Sequence, residues 1–93
     1  MDFIKLFNEV IVLAKPATAE GSFAKSMEDK LQDLELDSLD YIMLYMYFGD
    51  IYGMSEEQLR SYDVETIKDF KDMLDQHGSK HPESIEDALR GIK

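Results

Sequence analysis

Ser38 is the side chain whose surroundings point most directly to chemistry. It lies in the tetrapeptide Asp37-Ser38-Leu39-Asp40, where an acidic segment, residues 28–36, gives way to an apolar run over residues 39–52. Serine and aspartate are preferred at helix N-termini, so this tetrapeptide predicts a helix start. The unpaired N–H groups and the dipole at such a start let a hydroxyl there carry a phosphate group at low electrostatic cost.

No other set of residues competes with Ser38 as a chemical site. The chain has no cysteine, which excludes disulfides, thiolate catalysis and thiol-based metal sites. His77 and His81 are four residues apart, but Gly78 and Pro82 interrupt a helix there, so we expect solvent-facing side chains and no zinc pair. A hydrolytic role for Ser38 would need a histidine base, which no neighbour supplies. We therefore expect no catalytic residue, no metal site and no enzyme activity.

Apolar spacing and helix-start signals predict the elements that must position this serine. A long connection, residues 17–36, with a short helical turn inside residues 22–33, separates the first two helices. The prediction is an all-α fold: a small four-helix bundle of three longer helices and one short one, with an extra short C-terminal helix. Residues 1–78 would form the bundle, and residues 79–93 an amphipathic helix packed on it. The expected helices run from about Phe3 to Lys15, Ser38 to about Tyr52, Ser55 to Arg60, and Glu65 or Thr66 to near Gly78. The fifth would have Pro82 in its first turn and an apolar stripe at Ile85, Ala88, Leu89 and Ile92.

The second helix is apolar around most of its circumference, so its core face has to be chosen by spacing. The side chains predicted to face the core are Leu39, Ile42, Met46 and Gly49. That choice leaves the opposite face exposed, with Met43, Tyr45 and Tyr47. These residues would pack on the long connection or the C-terminal helix, or else form an adhesive surface for a protein partner.

Charge is concentrated in the middle of the chain. The net charge is −10, and residues 28–75 alone hold fourteen acidic and four basic side chains. Such a segment repels nucleic acid and anionic membranes and favours basic surfaces on partner proteins; the alternative is that the charge only solvates a small helical domain. No apolar run is long enough to insert into a membrane, and the N-terminus lacks the basic start of a secretory signal. We expect a cytoplasmic monomer.

The segment Asp33-Leu34-Glu35-Leu36-Asp37-Ser38-Leu39-Asp40 resembles the prosthetic-group attachment site of acyl carrier proteins. The order of the predicted elements resembles that family over about Phe3 to His77. Two later segments are also similar to it, at the entries to the third and fourth helices: Met54-Ser55-Glu56-Glu57 and Val64-Glu65-Thr66-Ile67.

The resemblance implies that Ser38 carries 4′-phosphopantetheine, attached from coenzyme A by a phosphopantetheinyl transferase. The thiol of this arm would hold acyl groups as thioesters for fatty-acid, polyketide or related biosynthesis, and aminoacyl cargo stays open. Asp37 and Asp40 would help dock the transferase, and Leu39 would lie along the core edge and guide the arm. The full set of implied docking residues is Asp37, Leu39, Asp40, Met43, Tyr47, Glu56 and Glu57.

Two features depart from the family pattern. Glu35 stands where the family usually has a glycine that eases a tight turn, so we expect the connection to follow a different path. The second helix also lacks the row of carboxylates that family members typically expose to docking enzymes. These departures leave an alternative function open: an unmodified adaptor with the carrier fold that binds a protein partner through its Tyr/Met-rich second helix.

Overall fold

Five α-helices and two 3₁₀ turns make up the secondary structure of the computed structural model, which describes residues 1–92. Within those residues there is no β-strand, only an isolated antiparallel bridge between Lys30 and Thr66. The all-α prediction is confirmed. The helices are α1, Phe3–Ala14; α2, Ser38–Tyr52; α3, Glu56–Arg60; α4, Ile67–His77; and α5, Ile85–Arg90; the 3₁₀ turns are Ala19–Ser22 and Leu31–Leu34.

Each of the five α-helices begins at a residue whose side chain accepts a hydrogen bond from the backbone N–H three positions later. This satisfies one of the N–H groups that the first turn of a helix leaves unpaired. In α2 and α4 the third residue reciprocates with its own side chain, which completes a capping box. The predicted helix starts therefore rest on local chemistry. The capping residues are Asp2, Asp37, Ser55, Thr66 and Ser84.

Four phenylalanines from three helices form the centre of the core. The ring of Phe48 in α2 meets that of Phe70 in α4 edge-on, with centroids 5.0 Å apart. Phe3 and Phe7 of α1 lie against the same Phe48 ring, at 5.7 and 6.1 Å. Aromatic pairs at these separations contribute roughly 0.5–1.5 kcal/mol beyond burial of their area. This cluster fixes α1, α2 and α4 relative to one another.

The predicted core face of α2 is wrong. The residues that α2 buries are Leu44, Phe48, Gly49, Ile51 and Tyr52. Of the predicted core residues only Gly49 is buried, whereas Leu39, Ile42 and Met46 are exposed. Conversely, Tyr45 and Tyr47, predicted to be exposed, are partly buried and pack against the core, and Met43 is half-buried. Because apolar residues surround most of this helix, its own periodicity does not select a face; the phenylalanines of α1 and α4 do.

The long connection between α1 and α2 is attached to both α1 and α4. The Asn8 side chain of α1 donates to the Ala24 carbonyl at 3.0 Å and accepts from its N–H at 2.8 Å. At the start of α4, the N–H of Ile67 donates to the Asp29 carbonyl. The second 3₁₀ turn, Leu31–Leu34, begins inside the predicted range 22–33 and ends one residue beyond it, and the first, Ala19–Ser22, lies almost wholly before it. These contacts give the segment that leads to Ser38 a defined path.

The C-terminal segment packs at the end of α2 opposite Ser38. Ser79 donates its hydroxyl to the Gly53 carbonyl at 2.9 Å, and the N–H of Lys80 donates to the Tyr52 carbonyl at 3.0 Å. Ala88 of α5 is buried in the core. These contacts lie about 20 Å along the helix axis from Ser38. The exposed residues near the start of α2 therefore receive no cover from them.

Candidate functional site

Ser38 is the first residue of α2, and it is exposed. The cap is provided by Asp37, whose Oδ1 accepts from the Asp40 N–H at 2.9 Å. The Asp40 carboxylate accepts in turn from the Asp37 N–H at 3.1 Å. The helix therefore begins without help from the Ser38 hydroxyl, which leaves that hydroxyl available for modification.

A left-handed turn precedes the serine by three residues. Glu35 has φ 58° and ψ 40°, and it is the single non-glycine residue with positive φ in residues 1–92. This conformation brings the side chain of an L-residue close to its own backbone and costs roughly 1–2 kcal/mol. A glutamate thus forms the kind of turn that a glycine would ease at this position.

Lys15, the residue that ends α1, joins three parts of the chain around this turn. Its Nζ donates to the Ser22 hydroxyl at 2.8 Å and to the Glu35 carbonyl at 3.2 Å, and it lies 3.2 Å from Asp40 Oδ2. The side chains of Lys15 and Asp40 are each 13 % exposed, and Ser22 is fully buried. A single ammonium group therefore holds both sides of the turn that carries Ser38.

The environment of Asp40 favours its charged form. Burial alone would raise the pKa of this carboxyl, but the hydrogen bond from the Asp37 N–H and the ammonium of Lys15 together lower it below its ordinary value. The Asp40 carboxylate is already engaged by the Asp37 N–H and by the Lys15 ammonium. Asp40, predicted to dock a transferase, thus has less free capacity for a partner than the exposed Asp37.

An exposed apolar stripe follows Ser38 along α2. Leu39 is 64 % exposed, Ile42 38 % and Met46 42 %, with the half-buried Met43 at the remaining position of the stripe. The spacing of three, four and seven residues places all four on one helix face. The expectation that Leu39 lies along the core edge is therefore corrected: it belongs to a solvent-facing stripe, because α2 turns Leu44 and Phe48 inward instead.

The remaining residues of the predicted docking set differ in accessibility. Tyr47 is partly buried and packs against the core, so it offers less surface than expected. Glu56 and Glu57 lie in the first turn of α3, where Glu56 pairs with Arg60 at 2.6 Å and Glu57 is exposed. Around Ser38 itself the structure brings together Asp37, Leu39 and Asp40.

An open depression of about 580 Å³ borders α2 one turn beyond the serine. Tyr41 and Tyr45 contribute to its wall, and burial raises the pKa of both phenols above its ordinary value. The carboxylates in its lining disfavour anionic ligands. The lining residues are Leu31, Gln32, Tyr41, Tyr45, Asp63, Val64, Glu65 and Asp69.

Two residues that contribute to the site were not predicted as such from the sequence. Lys15 was predicted only to end a helix, since its acceptors lie seven and more residues away along the chain. Tyr41 carried no signal beyond its aromatic character. In residues 1–92 there is no cluster of three or more His, Cys, Asp or Glu side chains arranged to hold a metal ion. No helix in that range has the length and apolar character needed to cross a membrane.

Comparison of the chain with protein-family models, with curated proteins and with solved structures finds no significant match. The functional interpretation therefore depends on the residues and geometry of the site.

Proposed function

We propose that the protein is an acyl carrier protein of the four-helix type, modified with 4′-phosphopantetheine at Ser38. The observation that supports this most strongly is the position of Ser38: exposed, first in a long helix, and free of any capping duty because Asp37 performs it. The motif around it resembles the family's attachment site. The protein would then act as a substrate and a carrier, and its partner enzymes would supply the catalysis.

The start of α2 suits a phosphate ester. First-turn N–H groups and the positive end of the helix dipole favour a negative charge there. In the modification, the Ser38 Oγ–phosphorus bond forms, the pyrophosphate bond of coenzyme A breaks, and adenosine 3′,5′-bisphosphate leaves, while the transferase takes up the hydroxyl proton. The arm ends in a thiol that holds acyl groups as thioesters. Because the chain has no cysteine, no side-chain thiol competes for this cargo.

The tether gives the protein its function. A group held on a flexible arm reaches each docked enzyme at a high effective concentration, so that transfer becomes effectively intramolecular. The partners we propose are a phosphopantetheinyl transferase and the enzymes that load and process acyl groups in fatty-acid, polyketide or related pathways. The exposed Leu39, together with the acidic Asp37 and Glu57, would contribute to docking them. The net charge of −10 opposes self-association, which favours a monomer.

Loading in vitro tests the proposal. The protein is incubated with coenzyme A and a broad-specificity phosphopantetheinyl transferase, and its intact mass is measured. We expect a gain of one phosphopantetheine group in the wild type and none in Ser38→Ala. Ser84→Ala is the matched control, because Ser84 is also an exposed serine at the start of an acidic helix. Equal loading of wild type and Ser38→Ala, or no loading of a folded wild type by transferases of both broad and carrier-specific type, would contradict it.

A second candidate function is an unmodified adaptor with this fold. The exposed stripe that begins at Leu39 favours it, because apolar side chains on one helix face suit a protein partner. Ser38→Ala separates the two functions. A carrier loses all loading and acyl transfer in this variant, whereas an adaptor keeps its partner with unchanged affinity.

A further inference from the structure

The ion pair between Lys15 and Asp40 differs from the other ion pairs in residues 1–92. Four of those others join side chains four residues apart within one helix, and all are more exposed than this one. Lys15–Asp40 joins the end of α1 to the first turn of α2, with both side chains 13 % exposed. Exposed pairs within one helix contribute little to stability, whereas a pair shielded from water is screened less and holds its geometry more strongly.

The acceptors of Lys15 flank Ser38 on both sides. The Glu35 carbonyl lies three residues before the serine, in the left-handed turn, and Asp40 lies two residues after it, in the capping box. Asp40 Oδ2 contacts both the Lys15 ammonium and the Asp37 N–H, so the capping box and the Lys15–Asp40 ion pair share one carboxylate oxygen. A substitution of Lys15 would therefore remove contacts on both sides of Ser38 without changing Ser38 itself.

We propose that Lys15 is a positioning residue for the modification of Ser38. It holds the turn between Glu35 and Asp40 in one conformation, so that a transferase meets the hydroxyl in a fixed orientation. Its positive charge also offsets the Asp40 carboxylate, which would otherwise repel a phosphate two residues away. The inference rests on the proposed function of Ser38, and it adds a residue from a different helix to that site.

The test measures loading kinetics and local order in the same proteins. Lys15→Met removes the ammonium but keeps an apolar stem, and Lys5→Met, at an exposed lysine of the same helix, is the control. At a temperature where all variants are folded, we expect kcat/KM for phosphopantetheine transfer to fall about tenfold in Lys15→Met, because misplacement of a reacting group costs up to about a hundredfold. Backbone amides of residues 37–41 should exchange with solvent faster in that variant, and Lys5→Met should match the wild type in both measurements.

A double-mutant cycle identifies the route and guards against poor folding of Lys15→Met. Asp40→Asn keeps an oxygen that can accept from the Asp37 N–H but removes the negative partner of Lys15. If Lys15 acts through Asp40, the second substitution adds little further loss to the first. Fully additive losses overturn the part of the inference that runs through Asp40. A wild-type rate of loading in Lys15→Met, or faster exchange spread evenly over the protein, overturns all of it. Absence of loading in the wild type would instead refute the proposed function, so the two failures are distinguishable.

Discussion

Replacing Glu35 by glycine should stabilise the protein, although a substitution to glycine usually destabilises the folded state. Glu35 has φ 58° and ψ 40°, a conformation that costs a residue with a Cβ about 1–2 kcal/mol. Glycine removes this cost but loses about 0.5–1 kcal/mol more conformational entropy on folding. The difference predicts a gain of about 0.5–1 kcal/mol, which corresponds to a rise of about 4 °C in melting temperature for a domain of this size. The Glu35 carbonyl that Lys15 binds is kept in the variant.

Urea unfolding, followed by circular dichroism, measures this gain. Glu35→Ala is the matched control, because it removes the same carboxylate yet keeps a Cβ in the left-handed region. Alanine should leave the free energy of unfolding within about 0.5 kcal/mol of the wild type. Asparagine, which tolerates this region better, should fall between alanine and glycine. If Glu35→Gly is no more stable than Glu35→Ala, the argument from backbone strain is refuted.

Two further predictions concern packing and pH. Gly49→Ala should lower the free energy of unfolding in urea by about 2 kcal/mol, because the added Cβ would lie 2.5 Å from the Met54 carbonyl oxygen. Gly21→Ala is the control and should not destabilise the protein, because its Cβ would meet nothing nearer than 3.7 Å. Equal stability of the two variants would contradict the close approach at Gly49. The pKa of Asp40 is lowered on folding, so its charge contributes stability above its unfolded pKa of about 4, and that contribution is lost as the pH falls through the folded pKa. The free energy of unfolding should therefore fall more steeply below about pH 4 in the wild type than in Asp40→Asn, and parallel curves would count against the ion pair.

The parts of the fold that the sequence predicted depend on neighbouring residues. Helix starts follow from side chains that bond N–H groups three positions away, such as Asp37 and Thr66. The end of α2 at Gly53 follows from the ease with which glycine adopts φ 68°. The proposal of Ser38 as the modified residue also depends on its immediate neighbours.

The parts that could not be predicted depend on distant residues. The buried face of α2 was chosen wrongly because the helix is apolar on nearly every side, and contact between Phe48 and rings of α1 and α4 decides its orientation. The role of Lys15 was missed for a similar reason, since the Glu35 carbonyl it binds is twenty residues away. The left-handed turn at Glu35 contradicts the residue's own preference, and it exists because surrounding contacts hold it.

The most direct test of the central claim is peptide mapping by tandem mass spectrometry of the protein isolated from the cells that make it. The account predicts that the peptide containing Ser38 carries one phosphopantetheine group, free or acylated, on the serine oxygen. Peptides with the other helix-start serines, Ser55 and Ser84, should be unmodified. A Ser38 peptide found only in the unmodified form would contradict the carrier function, and the exposed stripe of α2 would then be the surface on which to seek a partner.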